Sequence, residues 1–462
     1  MADSAISYDY IYPYSSELVS EENGERLRLA ASKIEDKFPY FFEGEILKPN
    51  VTAQMLLNLS KIVTTRFHYP PNMLRRIISE RDPVITSGGG FLRFEGFSVC
   101  AGAYARVDIS PDGYRGEIVG KGTTNVDFNA PTRHELALVR DGSRLAFSVG
   151  EAELKLEHEG NASVERKVEL PKRWIKGFVE VQAYQAKMKP RFVLTGQEVL
   201  RFLRSLPRNV SSKAEFYVVP TGNGKSLRLS QRADSSGEAV KLAGLKRLNV
   251  LADIAPFADR LEVFATEDNQ STEWRIESKS GGLSFVLTIT ADLYRGFSGE
   301  GQVLSELASV DGASEKNLAR VYAGLKWQSC IKADSFGSQI GLKQDSVGRS
   351  LATLGSRGLV GYDLNQGGYF HRELPFRIEE VEAVHPRLIG ARKLIEKGGV
   401  KVLGKVDGVL RAEVEGSGVV HIVKISADND AVCTCPWHSK YQGKRGFCKH
   451  ILAVLMEAED GE

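Results

Sequence analysis

CTCPWHSKYQGKRGFCKHILAVL, residues 433–455, holds three of the chain's five cysteines in the pattern C-x-C-x12-C-x-H. Structural Zn²⁺ is bound tetrahedrally by thiolates and imidazoles at about 2.0 to 2.3 Å. Two closely spaced ligand pairs separated by a Gly- and Lys-rich loop can supply that arrangement. The spacing therefore predicts one structural zinc ion, bound by Cys433, Cys435, Cys448 and His450.

The residues around these ligands predict a hairpin joined to a helix. A strand-like run, VVHIVKISADNDAV, precedes Cys433, whereas Cys448 and His450 open an apolar helical segment, HILAVLM. Because four protein ligands leave no open position for water on the metal, a hydrolytic role is disfavoured.

Three alternatives remain for the cluster. The cysteines could be buried free thiols beside a surface histidine, although free cysteines rarely pair with this spacing. A disulfide would leave one of the three cysteines unpaired, and no signal peptide is expected ahead of the fold. His438 could replace His450 only if the polar loop bent back onto the site.

At these positions the chain resembles the SWIM zinc-finger family, whose pattern is C-x-C, a variable spacer and C-x-H on a strand-strand-helix unit. The resemblance covers about the last fifty residues and implies the same four zinc ligands. It implies a DNA-binding or protein-binding module, and we expect a bacterial-type member. Bacterial SWIM proteins are often encoded beside MoxR-type ATPases and von Willebrand A proteins, so the resemblance also implies a role as adaptor in such a system.

Length and composition predict a soluble multidomain protein. The chain has 462 residues, 42% hydrophobic and 26% charged, and contains no run of eighteen apolar residues. The first residues, MADSAISYDYIYPYSSEL, lack the features of a signal peptide, so we expect a cytoplasmic protein without membrane contact. We predict an N-terminal segment, two α+β pairs of βαββ units, a winged helix and a zinc-finger domain, at residues 1–40, 41–165, 166–310, 311–373 and 374–462.

The net charge of +2 means that nucleic-acid binding requires local basic patches. One such patch lies beside the predicted zinc site, where no acidic residue occurs between Cys433 and His450. Its basic residues are Lys440, Lys444, Arg445 and Lys449. A binding surface and a solvated charged loop are both consistent with this pattern.

Residues 314–372 predict three helices followed by a β-hairpin, and this order resembles the winged helix-turn-helix domains. Val347, Leu351 and Leu354 fall on one face of the third helix, which should be buried. The predicted exposed face carries Lys343, Gln344, Ser346, Arg349, Ser350 and Thr353. The resemblance implies that this helix enters a DNA major groove and that the hairpin contacts the backbone, although winged helices also bind proteins. Asp345 and the scarcity of basic residues argue against tight sequence-specific binding.

Residues 44–296 predict four repeats of a strand, a helix and further strands. The helices are expected at Val51–Val63, Pro131–Val139, Gln197–Leu206 and Leu245–Phe257. Most strands alternate between apolar and polar residues, which predicts antiparallel sheets with one face in water. VDISPDGYRG at Val107–Gly116 matches LTITADLYRG at Leu287–Gly296 at an offset of 180, which indicates an internal duplication.

Four such units are similar in layout to one protomer of a DNA sliding clamp, whose helices face DNA. This likeness is one of topology, and an ordinary α+β scaffold with solvated basic residues is the alternative. The residues that the likeness would place on the DNA-facing helices are Lys61, Arg201, Arg204, Lys246 and Arg247.

No catalytic constellation is recognisable. PTGNGKSLRL resembles a P-loop, but strand-like flanks and Val219 in place of a required glycine predict a hairpin turn. We therefore expect a non-enzymatic, zinc-stabilised protein that binds nucleic acid, DNA above all, through its finger and winged helix. A protein-interaction adaptor is the alternative.

Overall fold

A computed structural model describes residues 17–21, 24–28, 40–65, 67, 83–118, 120–168, 170, 172–211, 214–233, 238–279, 281–291, 296–297, 315–374, 386–416, 418–426, 430–443 and 446–459. The chain has a mixed α and β structure, as predicted. Two short strands, β1 (Glu17–Glu21) and β2 (Gly24–Arg28), form an antiparallel hairpin ahead of the larger α+β region.

The first part of the α+β region contains two units in which a strand and a helix are followed by further strands. Its elements are β3 (Phe42–Ile46), α1 (Pro49–Thr64), β4 (Val84–Gly88), β5 (Phe91–Phe97), β6 (Ala103–Ile109), β7 (Tyr114–Ile118), β8 (Gly122–Asn125), α2 (Ala130–Leu138), β9 (Leu145–Val149), β10 (Glu153–His158) and β11 (Asn161–Arg166). Both helices begin with a proline in the first turn, where its missing N–H costs nothing. The side chain of Asn129 caps α2 by accepting from the Thr132 amide.

The second part repeats this layout after an additional helix. Its elements are α3 (Lys172–Gln185), β12 (Lys189–Thr195), α4 (Gln197–Ser205), β13 (Glu215–Thr221), β14 (Ser226–Ser230), β15 (Val240–Ala243), α5 (Leu245–Leu248), β16 (Ala258–Ala265), β17 (Ser271–Ser278) and β18 (Leu283–Thr290). The P-loop-like stretch is the turn between β13 and β14, as expected.

Two features of this part differ from the sequence prediction. Helix α3 was not predicted, although Trp174, Phe178 and Val181 recur at helical spacing and are buried. The helix expected at Leu245–Phe257 is only the single turn α5, followed by 3-10 turns at Asn249–Asp253 and Ala255–Phe257. Pro256 lacks the N–H that an α-helix through this segment would need, which explains the interruption.

An antiparallel sheet of eight strands joins the two parts, in the order β12-β16-β17-β18-β6-β5-β4-β8. The junction is the pair β18 and β6, in which Arg106 lies opposite Val286. These two positions are equivalents at the sequence offset of 180, so the repeats meet about a local two-fold axis. The smaller sheets have the orders β11-β10-β9-β3-β7 and β14-β13-β15.

The prediction that one sheet face lies in water is wrong for the centre of the large sheet. One face, with Leu92, Phe94 and Trp274, packs in the main hydrophobic core with α1 and α4, as the alternation implied. The opposite face carries polar residues such as Arg93 and Glu95, yet these are buried as well. Helix α3 and the hairpin described next cover this face, so ion pairs and hydrogen bonds inside the protein replace contacts with water.

Three helices and a hairpin follow in the predicted order. They are α6 (Glu315–Trp327), α7 (Ala333–Ile340), α8 (Gln344–Ser356), β19 (Val360–Asp363) and β20 (Gly368–His371). Val347, Leu351 and Leu354 are buried in their shared core, as predicted. The predicted start of the first helix at Ser314 lies outside the described residues.

The last unit combines a four-stranded antiparallel sheet, β21-β22-β23-β24, with three helices. Its elements are α9 (Pro386–Glu396), β21 (Val400–Val406), β22 (Val409–Glu415), β23 (Val420–Ile425), β24 (Ala431–Cys433), α10 (Pro436–Tyr441) and α11 (Lys449–Glu459). Helix α11 packs on one sheet face and on α9. Among the described residues, no helix is long and apolar enough to span a membrane.

Candidate metal centre and nucleic-acid interface

The four predicted ligands meet where the β23–β24 hairpin approaches the start of α11. Cys433 is the last residue of β24, and Cys435 is the N-cap of α10. Cys448 precedes α11, and His450 is its second residue. The predicted hairpin pinned to the first turn of a helix is thus confirmed.

The ligand atoms form a compact, buried group. The Nδ1 atom of His450 lies 3.8 Å from the Sγ atom of Cys433 and 3.9 Å from that of Cys448. All four ligand atoms lie within 4.8 Å of one another, and all four residues are buried. A tetrahedron with ligand distances of about 2.0 to 2.3 Å has edges of roughly 3.3 to 3.8 Å, so this group fits one structural zinc ion.

The protonation of the thiols also suits a cation. Hydrogen bonding with the Cys433 thiol is the main reason that the pKa of Cys448 falls to about 4. The same hydrogen bond, with burial, raises the pKa of Cys433 far above its usual range, and burial raises the pKa of Cys435. Zinc supplies the positive charge that allows all three sulfurs to be thiolates.

His438 is not a member of the ligand group. It lies in α10, a short helix that was not predicted, and its backbone N–H donates to the Sγ atom of Cys435 at 3.3 Å. An amide donor of this kind stabilises a ligating thiolate and fixes its orientation. The rival ligand set with His438 is therefore wrong.

Helix α9 supports the site from the side. Nη1 of Arg387 donates to the backbone oxygen of Phe447 at 2.7 Å, next to Cys448. The guanidinium carbon lies 4.6 Å from the centre of the Trp437 ring. Arg387 thus holds both ends of the loop between the two ligand pairs, a contribution that the spacing of the ligands did not reveal.

The predicted basic patch is described only in part. Lys440 is exposed on α10, and Lys449 is half-buried at the start of α11. Lys444 and Arg445 lie outside the described residues. The patch as a binding surface stays a prediction.

The predicted exposed face of α8 is exposed only toward its N-terminal end. Lys343, just ahead of the helix, and Gln344 and Arg349 are exposed, and Ser346 is half-buried. Ser350 and Thr353 are buried, so their placement on an exposed face was wrong. Helix α3 packs against α8, and Gln182 of α3 lies beside Gly355 near the C-terminal end of α8.

The β19–β20 hairpin is docked on the polar face of the large sheet. Arg372, which follows β20, donates to the carboxylate of Glu95 at 2.7 Å, and both side chains are at most 2% exposed. Asp363 of β19 lies 3.3 Å from Arg93, and Arg106 donates to the Tyr362 backbone oxygen at 3.0 Å. These contacts dock one side of the hairpin on the sheet, whereas Asn365 and Gly367 at its tip are exposed. Contact of the hairpin with DNA stays a prediction.

The residues assigned to clamp-like inner helices differ in environment. Lys61 is exposed and pairs with Asp253 at 2.5 Å, and the exposed Arg201 pairs with Glu198. Arg204 and Lys246 are exposed. Arg247 is buried and donates to the backbone oxygens of Gly102 and Thr290, so its placement on an open basic face was wrong. It instead ties α5 to the ends of β6 and β18.

Comparison with known proteins adds two kinds of likeness. Among solved structures, the chain is similar to Proliferating Cellular Nuclear Antigen from Entamoeba histolytica (11% identity, TM-score 0.36) and to the PCNA2-PCNA3 complex from Sulfolobus tokodaii (8% identity, TM-score 0.37). Each likeness covers 54% of this chain and 98% of the other. No curated protein matches the chain. The model of the SWIM zinc finger family matches residues 419–459, which contain all four ligands, so this part of the chain is similar to that family.

Proposed function

We propose that the protein is a non-enzymatic nucleic-acid-binding protein that contacts phosphates through the sheet β21-β22-β23-β24 of its zinc-finger unit, the last unit described above, residues 386–459. The observation that carries this proposal is a pair of cations on that sheet. Arg411 of β22 lies directly opposite Lys424 of β23, and both are exposed. No ion pair of the described residues involves either of them. Like charges directly opposite each other destabilise a sheet, and a phosphate placed between them would remove that cost.

The surroundings of this pair suit a nucleic-acid strand. Val432, directly opposite Lys424 on β24, is 58% exposed and offers apolar surface to a sugar or base. Lys440 on α10 is exposed and adds positive charge to the same unit, whereas Lys401 on the edge strand β21 lies directly opposite Glu413. The whole chain is nearly neutral, so its net charge does not attract nucleic acid. Affinity for phosphates therefore has to come from local positive charge of this kind.

We assign a positioning role to the three-helix and hairpin unit, whose element order is that of a winged helix. Its hairpin forms ion pairs with Glu95 and Arg93 of the large sheet. Two of the residues expected to face DNA, Ser350 and Thr353, are buried. Lys343, Gln344 and Arg349 stay exposed and can add backbone contacts. The closed, four-ligand metal site supports a non-enzymatic role, because it leaves the metal no open position.

A protein-interaction adaptor, as in a MoxR-type ATPase and von Willebrand A system, is the second candidate. The adaptor role is favoured by exposed apolar side chains, several of which lie in the zinc-finger unit. They are Val402, Leu403, Val406, Val419, Val420 and Val432. Apolar surface of this kind is more typical of protein contacts than of phosphate contacts.

Salt dependence of binding tests the first candidate. The zinc-loaded chain should bind duplex DNA at low salt, with log affinity falling against log salt by about 0.9 per phosphate contact. The double variant Arg411→Gln, Lys424→Gln should lower that slope by about 1.8 because two contacts are lost. Fluorescence anisotropy with labelled duplex and single-stranded DNA provides the measurement.

Lys225→Gln is the matched control, because Lys225 is exposed on the β13–β14 turn, outside the zinc-finger unit. It should leave the slope unchanged. Absence of binding to either DNA at low salt would contradict the nucleic-acid proposal and favour the adaptor.

A further inference from the structure

A cavity of about 440 Å³ adjoins the metal centre. Cys435, Cys448 and His450 form one wall, and the rest comes from α9, β23, α10 and the start of α11. The other lining residues are Arg387, Val419, His421, Pro436, Trp437 and Lys449. Its size falls within the range of about 300 to 1,000 Å³ that is common for small-molecule sites.

His450 lines this cavity, but its unpartnered ring nitrogen is buried. Its Nδ1 atom faces the sulfurs of Cys433 and Cys448, so Nε2 on the other side of the ring carries the proton when Nδ1 binds metal. The Nε2 atom is buried and has no hydrogen-bond partner among the described residues, and His450 is 5% exposed. Because this atom has almost no accessible surface, recognition of a ligand in the cavity falls to the other lining residues.

The charges around the cavity favour an anion as its ligand. Arg387 and Lys449 line it, and none of its lining residues is acidic. Three thiolates and Zn²⁺ together carry one negative charge, which these two cations outweigh. The start of α11, an eleven-residue helix, also lies at the cavity and adds the positive end of its dipole.

The remaining wall is apolar. Val419, Pro436 and Trp437 provide it, and the Arg387 guanidinium packs on the Trp437 ring. A free inorganic anion would gain nothing from this wall. An anionic group attached to a sugar and base would bury them against it.

We propose that this cavity binds the phosphate group of a nucleotide through the positive charges of Lys449 and Arg387. The phosphate is carried by the end of a nucleic-acid strand or by a free mononucleotide. The first source rests on the proposed function, because it assumes that the zinc-finger unit holds a strand nearby.

The test compares an oligomer with and without a 5′-phosphate, together with two small phosphate probes. The full zinc-loaded chain is titrated with hexathymidylate bearing a 5′-phosphate, with the same oligomer lacking it, with thymidine monophosphate and with inorganic phosphate. The 5′-phosphorylated oligomer should bind about tenfold more tightly than its partner, as one charge-assisted contact would provide. Lys449→Gln should abolish this preference while zinc content stays at one per chain.

Lys397→Gln is the matched control, because Lys397 is exposed in the same unit and does not line the cavity. It should retain the preference. Binding of thymidine monophosphate that Lys449→Gln abolishes, without a preference among oligomers, would support the proposal with the free nucleotide as source. If the 5′-phosphate gives no preference and thymidine monophosphate does not bind, the proposal is overturned. In that case the unphosphorylated oligomer tests the proposed function separately. Its binding would support nucleic-acid binding, and its failure to bind would contradict it.

Discussion

At the scale of single residues, side chains of one type have very different roles because of where they lie. Arg201 is exposed and pairs with Glu198 on the same helix, whereas Arg247 is buried and binds two backbone oxygens from different strands. Cys330 is an isolated thiol whose pKa burial raises to about 11, whereas Cys448 belongs to the metal centre. Their different environments predict different responses to the same substitution.

Cys448→Ser should release the zinc ion, because a serine hydroxyl is a poor ligand and the remaining three ligands lose their fourth partner. Cys330→Ser should keep one zinc per chain, since Cys330 lies outside the ligand group. Metal content after gel filtration gives the measurement. One tightly bound zinc retained by the Cys448 variant would show that the ligand set is wrong.

At the scale of elements, the β19–β20 hairpin differs most from its sequence prediction. Its sequence is that of a polar hairpin, but Asp363 and Arg372 are buried against the large sheet. Tyr104 also donates to Glu95, at 2.6 Å, so the carboxylate that binds Arg372 has two partners. Buried pairs of this kind are costly to break, because the partner left behind stays charged and dry.

Arg372→Met should therefore lower the free energy of unfolding by about 3 to 5 kcal/mol, measured by urea denaturation. Adding Glu95→Gln should recover part of this loss, because the uncompensated charge is removed. Arg201→Met, which breaks an exposed pair, should cost no more than about 0.5 kcal/mol. A similar small loss for Arg372→Met would mean that the hairpin does not depend on this pair.

At the scale of the whole molecule, separate cores meet around α3. Trp174 and Phe178 of α3 pack on Phe97 of β5, and the same apolar cluster includes Leu452 of α11. The four-stranded sheet and the metal centre share another core, with Val423 and Ile451. Only this second core contains metal ligands, so loss of zinc should act unevenly on the chain.

Chelation of zinc should accelerate hydrogen exchange in β22, β23, β24 and α10, because the metal is their cross-link to α11. Strands β5, β6, β17 and β18 should keep their protection, since they lie in the main core without metal ligands. Exchange followed by mass spectrometry, with and without chelator, is the measurement. Equal acceleration in both groups would show that zinc supports the entire fold.

The sequence alone was sufficient for features that depend on local spacing. The pattern C-x-C-x12-C-x-H predicted the ligand group, and the alternation in β5 and β6 predicted which residues share a sheet face. Helix α1 and the core face of α8 followed from apolar periodicity in the same way. In each case the deciding residues are near neighbours along the chain, where backbone geometry determines which side chains meet.

Only the tertiary structure decided which polar faces are dry and which residues remain available for binding. Arg372 and Glu95 are 277 positions apart, so no local pattern could pair them. Ser350 and Thr353 are buried on α8, a helix that packs against α3 from more than a hundred residues earlier in the chain. Burial of a polar side chain depends on long-range packing that supplies its partners, whereas sequence periodicity reports only the face on which it lies.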